Sequence, residues 1–118
     1  MKQLISATAA IFVSATALAD PAVIEGATAM KSGDSWSISV TLSHGDTGWE
    51  DYADGWRVLG PDGAELGQRV LAHPHVNEQP FTRSQSGIVI PADLDHVMIE
   101  ARTLTEGWGG TQFRLELR

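Results

Sequence analysis

The chain has 118 residues, with fifteen acidic against eight basic side chains, four histidines and no cysteine, giving a net charge of −7 with the histidines neutral. That balance repels polyanions, so nucleic acid and anionic lipid headgroups are excluded as partners, while metal ions and cationic partners are favoured. Without a thiol there is no disulfide, no thiolate zinc site, no cysteine-ligated copper and no cysteine nucleophile.

Met1-Lys2-Gln3 opens onto an uncharged run from Leu4 to Leu18 that closes with Ala17-Leu18-Ala19, the pattern of a secretory signal peptide with an A-x-A cleavage site. The run is too short and too rich in Ala, Ser and Thr for a membrane anchor, which needs about 20 strongly apolar residues. Residues 1–19 are therefore expected to be removed. Residues 20–118 remain as one exported domain with no membrane insertion, and loss of Lys2 takes its net charge to −8. A chain of this size buries only roughly 60–65% of its unfolded surface, so the core must be small and must close by packing alone.

From Val23 onward, short strand-like runs are separated by turn signals, and no long window has helical period. Val23 to Met30 reads as a first strand ended by Ser32-Gly33-Asp34. Trp36, Ile38, Val40 and Leu42 then alternate with Ser and Thr, which puts one face in the core and one in water, with Trp36 among the core residues. A polar loop runs from His44 to Gly55. Trp56-Arg57-Val58-Leu59 leads into the turn Gly60-Pro61-Asp62-Gly63, and Glu65 to Leu71 returns as the other half of a hairpin. Gly87 to Ile90 is a strand stopped by Pro91, and His96 to Thr103 is another, with Val97, Ile99 and Ala101 inward. Gly107 to Gly110 reads as a loop before Gln112 to Arg118, where Phe113, Leu115 and Leu117 complete the core. The fold class is all-β, and about seven short strands in this length fit an immunoglobulin-like or fibronectin-III-like antiparallel β-sandwich.

The segment His73-Pro74-His75-Val76-Asn77-Glu78-Gln79-Pro80-Phe81-Thr82-Arg83 is the expected functional surface, because its prolines make it stiff and extended. In β geometry His73 and His75 share a face and can converge on one ion, with Glu78, His44 and Asp46 supplying the remaining ligands. Nitrogen and oxygen ligands without sulfur suit Cu(II), Zn(II) or Ni(II). The competing reading is that these imidazoles only brace the loop. In the loop from His44 to Trp56, carboxylates are dense but lack calcium-loop spacing. There Trp49 and Tyr52, joined by Trp108, would form an aromatic platform for a sugar or a protein partner. Arg83 would pair with Asp51 or Asp54 and tie the two loops together.

No nucleophile elbow, H-E-x-x-H, P-loop or dinucleotide fingerprint occurs, so a non-catalytic binding module is expected rather than an enzyme. The stretches H-G-D-T-G-W (44–49), Y-A-D-G-W (52–56), L-A-H-P-H-V-N-E-Q-P-F-T-R-S (71–84) and G-W-G-G (107–110) resemble a group of small exported bacterial proteins with no established activity. The resemblance implies a periplasmic location, with an extracellular one as the alternative, and carries no functional residue with it.

Overall fold

The computed structural model describes residues 20–118. The expected signal peptide, residues 1–19, lies outside the described residues. Seven strands are found among the described residues and no helix: β1 (Val23–Ser32), β2 (Ser35–Ser43), β3 (Ala53–Leu59), β4 (Glu65–Val70), β5 (Phe81–Ile88), β6 (His96–Thr103) and β7 (Gly107–Glu116). All neighbouring pairs are antiparallel, in one sheet ordered β1-β2-β5 and a second ordered β4-β3-β6-β7.

Local chemistry sets the hairpins. Ser32 pairs with Ser35, so β1 and β2 are joined by two residues, Gly33-Asp34, with Gly33 at φ 60°. Glycine at the first central position is what a type II′ hairpin turn requires. At the β3–β4 turn Gly63 takes φ 89°, while Asp62 Oδ1 accepts from the Ala64 N–H at 3.1 Å.

Ile38, Val40 and Leu42 of β2 meet Trp56 and Val58 of β3, Val97, Ile99 and Ala101 of β6, Phe81 and Ile88 of β5, and Leu115 of β7 in one core shared by both sheets. β6 matches its sequence reading in bounds and in its inward residues. Trp36 does not, because it lies at the hairpin end of β2 opposite Lys31. There it is half-buried and lines a crevice of about 430 Å³ with Ile90, Leu94 and Leu117. The tryptophan in the centre of the core is Trp56, with 0% exposure. Phe113 and Leu117 are likewise only partly buried, leaving Leu115 as the buried residue of that strand.

Two further expectations are corrected. The strand expected at 87–90 is Phe81–Ile88, so Thr82, Arg83 and Ser84 lie on a strand rather than in the proline-bounded loop. The four residues Gly107 to Gly110 open β7 instead of forming a loop, pairing with β6 through Thr103↔Gly107, Arg102↔Trp108 and Ala101↔Gly109. A register irregularity sits there, with Gly110 at φ 82°, a conformation that favours glycine, and a Cβ at that position would press on Pro21 Cβ at 3.0 Å. A bulge of this kind is where glycine belongs in a strand.

Candidate metal centre at one end of the sheets

The strand register gathers four chain segments at one end of the molecule. β1 begins beside the end of β2 (Val23↔Ser43), β5 begins beside it too (Leu42↔Phe81), and β3 begins beside the end of β6 (Ala53↔Thr103). The start of the domain at Asp20, the loop 44–52, the loop 71–80 and the turn 104–106 therefore converge.

Asp46 is the knot of this end, its side chain wholly buried. Oδ1 accepts from His44 Nδ1 at 2.7 Å and from the Ala53 N–H at 3.0 Å, and Oδ2 accepts from the His75 N–H at 2.8 Å. One carboxylate thus ties the start of β3 and the histidine-proline segment to His44. Gln79 closes the circuit, its Oε1 accepting from the His44 N–H and its amide donating to the His75 carbonyl, both at 3.0 Å.

The other ring nitrogen of His44 looks into a group of oxygens: the Asp20 carbonyl at 3.0 Å, Asp20 Oδ2 at 3.3 Å and Asp51 Oδ1 at 3.8 Å. A backbone carbonyl can only accept, so with Asp46 on Nδ1 and this carbonyl on Nε2 both ring nitrogens carry protons. Burial alone would lower the imidazole pKa. The hydrogen bond from Asp46 and the charges of Asp20, Asp46 and Asp51 outweigh it and raise the value above the ordinary range. One donor atom each from Asp20, His44 and Asp51 lies within 4.8 Å of the other two. Two ligands on one ion with bonds of 2.0–2.2 Å stand about 3.0 Å apart in octahedral and about 3.4 Å apart in tetrahedral geometry. Asp20 Oδ2 is already at ligand spacing from Nε2, and the half-exposed Asp51 needs only a small shift.

The five residues expected to share an ion do not. His44 and Asp46 are bonded to each other, with Asp46 behind the ring as the carboxylate that orients it. His75 is buried and stacked on Phe81 at 3.9 Å between ring centres. Its Nε2 lies 3.0 Å from Arg83 Nη2. Arginine only donates, so His75 is neutral with its proton on Nδ1, a buried atom with no hydrogen-bond partner. Burial, then the charges of Arg83 and His73, lower its pKa. Neither ring nitrogen of His75 has a lone pair free for a metal. His73 is exposed, and Glu78 pairs with Arg83 at 3.0 Å. Arg83 therefore stays within its own segment, and the acids expected to meet it go elsewhere, Asp54 to Arg102 at 3.1 Å and Asp51 toward His44.

The aromatic platform is also divided. Trp49, 64% exposed, meets Tyr52 edge-on with ring centres 5.8 Å apart. Trp108 instead lies on the four-stranded sheet, with the Arg57 guanidinium 4.2 Å above its ring and Arg102 at 5.8 Å. Trp49 borders a shallow depression of about 610 Å³ together with His73, Pro74, Val76, Glu78 and Arg83.

Asp20 was missed by sequence reasoning, and Asp51 was assigned a different partner. Pairing of β1 with β2 is what carries Asp20 to His44, and that register cannot be seen in a first strand whose apolar residues do not alternate cleanly.

No protein-family model matches the chain, and no solved structure matches it. Over 73 residues, 62% of the chain, it is 42% identical to a protein of Halomicrobium mukohataei named "Putative lipoprotein". The matched stretch makes up 35% of that protein, so the chain corresponds to about a third of its length. No helix among the described residues is long and apolar enough to cross a membrane.

Proposed function

We propose that the domain is an exported, non-catalytic binding module that holds a divalent transition metal through His44 Nε2 and the carboxylates of Asp20 and Asp51. The observation that carries this is the buried imidazole of His44, fixed through Nδ1 by Asp46 with Nε2 presented to oxygens at ligand spacing. Metal-bound histidines characteristically give their second nitrogen to a carboxylate in this way. One imidazole among carboxylate and carbonyl oxygens suits Zn(II), Cu(II) or Ni(II). Export is supported by the A-x-A segment at 17–19 and by the name of the similar protein. The strand order supports a fibronectin-III-like variant of the sandwich. Its fourth strand lies beside the third, whereas an immunoglobulin constant-type arrangement places that strand with the first sheet.

Calorimetric titration of Zn(II) into chelator-treated protein beginning at Asp20 should give one saturable site at micromolar concentration. Asp51→Asn should weaken it by about 100-fold or more, since losing even an orienting partner behind a ligand costs about 10–100-fold. His73→Ala combined with Glu78→Gln, both exposed, should leave it unchanged. Absence of saturable heat, or its loss in the His73/Glu78 variant, would contradict the reading. A second reading, recognition of a sugar or a protein partner, is favoured by the exposure of Trp49 beside the depression at His73 and Val76. It predicts no metal heat and a Trp49 fluorescence change on ligand binding.

A further inference from the structure

We propose that removal of residues 1–19 completes the metal site by freeing the α-amino group of Asp20 as an additional ligand. This rests on the metal reading given above and on cleavage after Ala19. Asp20 already turns two oxygens toward His44 Nε2, its carbonyl at 3.0 Å and its side chain at 3.3 Å. Its backbone nitrogen is held too, donating to Glu106 Oε1 at 3.1 Å.

The position of that nitrogen is fixed from both sides. Glu106 belongs to the turn after β6, where its own N–H donates to Thr103 Oγ1 at 3.2 Å. On the other side Pro21 lies against Gly110, and Ala22 is 5% exposed in the core. The start of the domain is therefore seated over the site.

The nitrogen changes character on cleavage. In the uncut chain it is an amide, its lone pair delocalised into the carbonyl of residue 19, and it cannot serve as an ordinary ligand. Once free it is an amine, and its ammonium proton passes to solvent when a metal ion takes the lone pair. Amine and carbonyl oxygen of one residue close a five-membered chelate ring, and amine and β-carboxylate a six-membered one. A coordinated amine keeps two N–H bonds, so it can still donate to Glu106. Binding would thus be tighter in processed protein than in the precursor.

The test compares Zn(II) affinity, by calorimetry at pH 7.5, of protein beginning at Asp20 with protein that retains Ala19, after circular dichroism shows the same fold in both. Retention of Ala19 should weaken binding by about 100-fold or more, as expected for loss of a direct ligand. Equal affinity in the two proteins would overturn this inference and leave the Asp20–His44–Asp51 site standing. Binding in neither would overturn that site and this inference with it.

Discussion

Replacing Asp46 by alanine should destabilise the metal-free domain by about 3–5 kcal/mol, the range for removing one partner of a buried charge pair. The carboxylate is wholly buried and bonds to His44, Ala53 and His75. Its loss strands an imidazolium and two backbone N–H groups away from water, each needing a partner that apolar surroundings do not supply. Against a domain stability of about 5–15 kcal/mol this is a large fraction, and the thermal midpoint should fall by roughly 10 °C or more. Adding His44→Ala to Asp46→Ala should recover part of the loss, because the stranded charge is then gone, and the two substitutions should therefore be non-additive. Denaturant unfolding of both single variants and the double variant measures this. A loss under about 1 kcal/mol for Asp46→Ala would mean that water reaches this carboxylate.

Trp56→Ala should cost about 3–5 kcal/mol, as truncation of a large aromatic in a packed core does. The side chain is fully buried between the two sheets, and its indole N–H has no partner. That second fact separates two substitutions. Trp56→Phe keeps most of the packing and removes the unpaired donor, so it should cost much less than the alanine change. Trp36→Ala, at a half-buried site, should also cost less. Equal losses for Trp36→Ala and Trp56→Ala, by urea unfolding, would contradict the placement of Trp56 at the centre.

In the middle of a strand with one apolar and one polar face, the sequence was enough. β2 and β6 show it, with Ile38/Val40/Leu42 and Val97/Ile99/Ala101 inward. β5 escaped because only its ends, Phe81 and Ile88, are apolar and buried. Its interior is held instead by polar pairing on the outer face, Ser39 to Ser84 at 2.5 Å and Thr41 to Thr82 at 2.7 Å between hydroxyl oxygens. Such cross-strand hydroxyl pairs stabilise a sheet without leaving a hydrophobic period. In β7 the glycines that signal a loop are there to admit a bulge and the passing Pro21.

At the site, His44 and Asp46 could be picked out as chemistry-bearing residues from their types alone. Their roles could not, because these depend on which ring nitrogen faces which acceptor. The histidine-proline segment drew attention for its density of imidazole and proline. Yet Arg83 reaches His75 from two residues beyond Phe81, on β5, and a strand missed in the sequence hides the contact that takes His75 out of metal chemistry.

The claim that His44 is the metal-binding histidine is tested most directly by following the side-chain nitrogens of all four histidines by ¹⁵N-resolved NMR during a Zn(II) titration of protein beginning at Asp20. His96 serves as the internal reference, since it starts β6 at the end remote from Thr103 and pairs with Asp95 at 2.7 Å. Nε2 of His44 should lose its proton and shift until one equivalent of Zn(II) is bound, while the rings of His73, His75 and His96 keep their positions. A shift of His73 and His75 with His44 unmoved would contradict it.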